Sequence, residues 1–290
     1  MKVLLGPFCG EIGWELCYWQ AHGRWLKKVL PDYDIIPITF KGRQSFYRDY
    51  ADYIVFHAGR ITNSFGKLNC YNADGFSRYE YFKYVEKLLN KHQAYTAFTV
   101  PNHNGRFYIP KDKMIFESFK PQSRDLLEKF IKVEDVRHPA VMVFPRHKGD
   151  ERDWGEEKWE CLVDRLIYEG YFVVIAGIKS FSCLAYYERE NSVVNLIKLR
   201  ADIMHSLDLT IYYMDLCNFA IGSQSFLPIL SMHQKVPTLV WGAEEERHAE
   251  ELNYFSTICK FLYDPDYDSS VDDVWDAFKE LERDYYYDRR

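Results

Sequence analysis

Four short, largely apolar runs, Ala140–Phe144, Tyr171–Ala176, Phe219–Ile221 and Val236–Trp241, restrict the possible folds of this chain more than any other feature. Each is too short to be a helix and is bounded by proline, glycine or turn residues. Such runs read as strands covered on both faces. Helical patterns separate them: Glu156–Glu169 ending at Gly170, a helix after Gly177, Leu207–Cys217 and Phe226–His233. A further short strand falls near Val193–Ile197. Strands and helices alternating at this spacing predict a parallel, doubly wound sheet.

The first half repeats the theme more loosely. Lys2–Leu5, Asp34–Thr39 and Tyr53–His57 read as strands, Ile12–Val29 and Tyr79–Asn90 as helices, and a helix is expected from Pro121. The turn-rich stretch Asn63–Gly75 carries no assignable pattern. A polar segment ending at His138-Pro139 suggests a boundary: residues 1–136 as one domain, 137–267 as a second, and 268–290 as a closing segment with an amphipathic helix at Val271–Arg283.

Composition narrows the function classes. The net charge of −6, with no basic run, weighs against a protein that lives on nucleic-acid backbone. Seven scattered cysteines form no CxxC pair, which argues against a zinc knuckle or a disulfide framework and suits a reducing cytosol. No apolar run approaches the roughly 18 residues that span a bilayer, and the opening MKVLLGPFCGEIGWEL is too short in apolar residues for a signal peptide. The expectation is a cytoplasmic protein, visiting a membrane only peripherally if its partner resides there. Aromatic residues make up 17% of the chain, and Tyr and Trp suit cleft walls, although a compositional habit accounts for them equally well.

In a doubly wound sheet, ligands bind at the carboxyl ends of the strands, so three strand-to-helix turns stand out. Pro145–Trp154 (PRHKGDERDW) places Arg146, Lys148 and Arg152 in one loop, suited to a pyrophosphate; the same charges equally suit a solvated loop paired to Asp150, Glu151 and Asp153. Gly222, Ser223, Gln224 and Ser225 form a turn whose N–H groups and hydroxyls suit a phosphate at a helix N-terminus, or an ordinary cap. The turn GPFCGEIG sets Glu11 at a helix start, as a general base or as an acid favoured by the helix dipole. No GxGxxG or P-loop pattern occurs.

From Val141 to Gly242 the chain resembles the donor domain of GT-B glycosyltransferases, particularly the heptosyltransferase-like group. The matching run is VMVFPRHKGDERDW, EEKWECLVDRLIYEG, VVIAG, VVNLI, SLDLTIYYMDLCNFAIGSQSFLPILSMHQ and VPTLVWG. The resemblance implies two Rossmann-like α/β domains facing across a cleft, braced by the last helix. It also implies a nucleotide-sugar donor, whose diphosphate is held by Arg146, Lys148, Arg152, Gly177 and the Gly222–Ser225 turn, and Glu11 as base. Metal-independent, inverting transfer to a hydroxyl acceptor (a glycan, a glycolipid or a modified nucleic acid) follows, with no cofactor and no metal. The chain departs from the family in having Ser223-Gln224-Ser225 where Asp-Ser-Gly is usual, and Glu11 in place of an Asp. RHKGDE also faintly resembles the donor-binding arginine motif of fucosyltransferases. The alternatives are a glycosyltransferase acting on modified bases of phage DNA, and an inert nucleotide-binding module. Should Glu11 not be the base, Glu15 and Asp150 stand next.

Overall fold

The computed structural model describes residues 1–6, 8, 12–40, 42–56, 78–94, 96–98, 109–198 and 206–287. They form two compact units, Met1–Glu117 and Ser118–Arg290. The division falls after Glu117, where the sequence pattern suggests residue 136. The reason is local. Phe119 exchanges two backbone hydrogen bonds with the Gln234 amide, and Ser118 Oγ donates to His233 O, so this segment is tied to the second unit.

The first unit is built on a four-stranded parallel sheet in the order β3-β2-β1-β4. Its strands are β1 (Lys2–Leu5), β2 (Asp34–Phe40), β3 (Ile54–Phe56) and β4 (Thr96–Phe98). Between β1 and β2 the chain runs through α1 (Ile12–Trp14), a π-helical turn at Glu15–Trp19 and α2 (Gln20–Val29). Helix α2 buries Ala21, Gly23, Arg24 and Leu26, and carries Lys27 and Lys28 where its dipole favours cations. Helix α3 (Arg78–His92) leads to β4, an edge strand of three residues that carries too little pattern to be read from sequence.

The second unit opens with the short helix α4 (Arg124–Leu127), much less than the helix expected from Pro121. Its sheet has six parallel strands, β5 (Ala140–Phe144), β6 (Phe172–Ile175), β7 (Val193–Asn195), β8 (Phe219–Ser223), β9 (Thr238–Gly242) and β10 (Cys259–Tyr263), in the order β10-β9-β8-β5-β6-β7. This is the strand order of dinucleotide-binding Rossmann sheets, 6-5-4-1-2-3 within the unit. Helices α5 (Glu156–Tyr168), α6 (Ser206–Asp215), α7 (Phe226–His233) and α8 (Val271–Tyr287) complete it.

Strands β5, β6, β8 and β9 are buried at every position, which is why their sequences are almost wholly apolar. Helix α5 buries Trp159, Leu162, Val163 and Leu166, a stripe at helical spacing, and each such side chain contributes about 1.5–3 kcal/mol. Trp154, Trp159 and Trp241 meet with ring centroids 5.1–5.2 Å apart beneath the carboxyl edge of the sheet. The helix expected after Gly177 is replaced by a 3₁₀ turn at Lys179–Phe181 and irregular chain. There the backbone pairs with the loop after β5 instead: His147 N donates to Phe181 O at 2.7 Å and Cys183 N to Pro145 O at 3.2 Å. Among the described residues no helix is long and apolar enough to cross a membrane.

Candidate functional site

In the second unit, β5 and β8 are adjacent in the sheet while their connections leave to opposite sides. This topological switch point opens a crevice at the carboxyl ends of the strands, where α/β sheets receive ligands. Phe144 of β5 is paired with Gly222 of β8, so the loop at 145–154 and the turn at 224–225 emerge on either side of the crevice.

The loop is organised around Asp153. Its carboxylate accepts three successive backbone N–H groups, from Lys148 (3.0 Å), Gly149 (2.5 Å) and Asp150 (3.3 Å). Arg146 turns inward and is only 7% exposed. Its guanidinium grips Asp150 through two hydrogen bonds, at 2.7 and 2.5 Å, and Asp153 through a third at 2.6 Å. Those hydrogen bonds are the main reason the Asp150 carboxyl is held down to about 2. Arg146 is therefore committed to the interior of the loop, and the two outer cations differ from it. Lys148 is exposed and lies over the Phe181 ring at 5.2 Å. Arg152 is partly exposed, with Asp150 at 3.7 Å.

Across the crevice, strand β8 runs on through Ser223, so Gly222 belongs to the strand and only Gln224 and Ser225 turn. Gly222 is required by packing: a Cβ there would lie 2.9 Å from Phe144 Cδ2 and 2.9 Å from Pro228 Cγ. Ser223 Oγ is buried with no partner among the described residues, and Ser225 stands at the α7 N-cap with no side-chain cap hydrogen bond. Gln224 points away from the turn toward the loop after β9. Its Oε1 accepts from Ala243 N (3.1 Å), Glu244 N (3.2 Å) and Tyr267 Oη (3.2 Å), and its Nε2 donates to Glu244 Oε2 at 2.5 Å. Gly242 allows this approach, since a Cβ there would overlap the Gln224 amide and sit 2.8 Å from the Tyr267 hydroxyl. Gly177 similarly makes room for the Ser182 side chain after β6.

No sequence pattern singles out the loop after β9. It continues from Glu244 into a π-helical turn, Glu246–Glu251, a departure from α geometry that often marks functional segments. His248 in this turn is 3% exposed and burial pulls its pKa down to about 4, so its ring is neutral near pH 7. Its one available sequence signal was AEEERHAEE placed directly after an apolar strand and glycine.

In the first unit, Glu11 lies outside the described residues. Glu15, four positions on, is fully buried: Arg43 Nη1 donates to it at 2.6 Å and the Tyr47 hydroxyl at 2.5 Å. Burial raises its pKa, against the opposing pull of Arg43 and Tyr47. It is a sealed ion pair, and Asp150 is engaged by Arg146; neither is disposed to accept a substrate proton. Asp-x-Asp triplets, a pattern that can hold a metal, occur at Asp32-Tyr33-Asp34 and within Asp264–Asp268. Asp264 is buried and accepts from Asp268 N and Ser269 N, each at 3.0 Å, as a turn former. Among the described residues no group of three or more His, Cys, Asp or Glu is arranged to hold a metal ion.

No protein-family model matches the chain, and no curated protein matches it. Solved structures do. A glycosyl transferase family 9 protein from Veillonella parvula matches over 97% of this chain and 96% of its own, with a TM-score of 0.60 and 13% identity. The E. coli ADP-heptose lps heptosyltransferase II matches with a TM-score of 0.64 and 13% identity, over 97% and 98% of the two chains. The E. coli heptosyltransferase WaaC, solved with ADP, gives 0.57 and 12%, over 97% and 100%. At these identities the likeness is one of fold. The chain has the α/β fold of the GT-B heptosyltransferases, as its sequence resemblance implies.

Proposed function

We propose that this protein is a glycosyltransferase that moves a sugar from a nucleotide-sugar donor to a hydroxyl acceptor, by inversion and without a metal. The observation that carries this reading is the switch point of the second unit, flanked by a cation-bearing loop and by the β8–α7 turn. The full-length fold likeness to proteins that include a heptosyltransferase solved with ADP supports it.

Each residue then has a distinct task. Arg152 and Lys148, the two outer cations of the loop, neutralise the diphosphate as it departs and gains negative charge. Arg146 holds the loop closed around Asp153 rather than meeting the ligand. The Ser225 N–H at the start of α7 presents the positive end of a helix to the same phosphates, the Gln224 N–H being bound to Trp241 O. Glu11, in the sequence segment that follows β1, takes the proton of the attacking hydroxyl. The bond from the anomeric carbon to the diphosphate breaks as the bond to the acceptor oxygen forms.

Calorimetry with ADP, UDP and GDP tests the donor half. At least one should bind the wild type, and Arg152→Ala should weaken it by about 1–3 kcal/mol, the worth of a charged hydrogen bond. If no diphosphate binds, or Arg152→Ala binds as tightly as wild type, the assignment is wrong. For the chemistry, Glu11→Gln should lower turnover by roughly 10²–10⁴-fold with donor affinity nearly unchanged.

A further inference from the structure

The Ser223-Gln224-Ser225 turn contains no carboxylate, yet one is delivered to its side by the loop after β9. Glu244 is fixed there from two directions. Gln224 Nε2 and Arg247 Nη1 both donate to Oε2, at 2.5 and 2.9 Å, and the Glu244 N–H is bound to Gln224 Oε1. Both side-chain donors take the same oxygen. Oε1 of this carboxylate, whose side chain is 48% exposed, accepts from no donor among the described residues.

Arg152 is close by, though the two charges do not pair. Both act electrostatically on the Tyr267 hydroxyl and on the His248 ring. One neighbourhood thus holds an anion-seeking cation and a hydroxyl-seeking carboxylate. His248 and Tyr267 beside them are uncharged near pH 7, since burial lowers the pKa of the first and raises that of the second.

We infer that Glu244 receives the hydroxyl groups of the donor's sugar, held at the carboxyl end of β9 by Gln224 and Arg247. This rests on the proposed function, and assigns the part of the donor beyond the diphosphate. With the diphosphate on Arg152, the sugar extends toward β9, and its ring hydroxyls donate to Glu244 Oε1. A carboxylate accepts hydroxyl hydrogen bonds more strongly than a neutral group does. The site therefore favours a polyhydroxylated, uncharged sugar and repels one carrying a carboxylate.

The test compares a nucleoside diphosphate with its sugar conjugate, using ADP and ADP-heptose, UDP and UDP-glucose, and GDP and GDP-mannose. Calorimetry on wild type, Glu244→Gln and Glu244→Ala should show diphosphate affinity within about threefold of wild type. The affinity for the cognate nucleotide sugar should fall by about tenfold to a hundredfold. Retained diphosphate binding also certifies that the variants are folded, and Gln at this position can still accept from Gln224. An equal fall for both ligands would make Glu244 a support for the loop only, and no fall for either would remove it from the site. Both results overturn the inference while leaving the donor reading intact. A wild type that binds none of the diphosphates overturns the donor reading, and this one with it.

Discussion

Arg146→Ala separates a loop clamp from a ligand contact. The wild-type guanidinium holds Asp150 and Asp153, whose side chains are 32% and 11% exposed. Removing one partner of a buried ion pair costs about 3–5 kcal/mol because the other charge is left uncompensated; the partial exposure of Asp150 brings the expectation to about 2–3 kcal/mol. The pH dependence follows from the same contacts. Asp150 is held from an ordinary 3.8 down to about 2, first by Arg146. A carboxyl with a depressed folded-state pKa stabilises the protein above its unfolded value, and that contribution is lost as pH falls from about 4 toward 2. At 1.36 kcal/mol per unit the contribution is about 2 kcal/mol, lowered by solvent screening to about 1. Urea unfolding followed through the fluorescence of Trp154, Trp159 and Trp241 should show the mutant less stable at pH 7, with the difference narrowing by about 1 kcal/mol at pH 2. Hydrogen exchange should quicken at the amides of Lys148, Gly149 and Asp150, which donate to Asp153. A mutant within about 0.5 kcal/mol of wild type, with unchanged exchange at those amides, would refute the clamp and return Arg146 to the list of phosphate ligands.

Two further substitutions probe the frame of the site. Gly222→Val forces a branched side chain against Phe144 and Pro228, so it should cost about 1–3 kcal/mol by overpacking and lower the melting temperature; a thermal melt matching wild type would show that the strand has room. Glu15→Gln leaves Arg43 buried with a weakened partner, and should destabilise the first unit by about 3 kcal/mol while turnover follows the folded fraction. A stable Glu15→Gln protein whose turnover falls a hundredfold would instead make Glu15 the base.

The periodic pattern of the second half determined a great deal unaided. A parallel strand covered on both faces is apolar along nearly its whole length, so β5, β6, β8 and β9 could be read as strands, and their alternation with helices dictated a doubly wound sheet. Short edge elements escaped: β4 and β10 are three and five residues long, and β10 is only partly buried. Strand order is likewise invisible along the chain, and only it shows that the loops after β5 and β8 share a crevice. The sequence placed Arg146, Lys148 and Arg152 together as equivalent cations. The tertiary structure distinguished them, because Asp150 and Asp153 fold back onto one of the three. The part played by Gln224, Gly242, Glu244 and Tyr267 was beyond any local reading. They are separated by up to 43 residues and meet only because parallel pairing of β8 with β9 brings their carboxyl ends together.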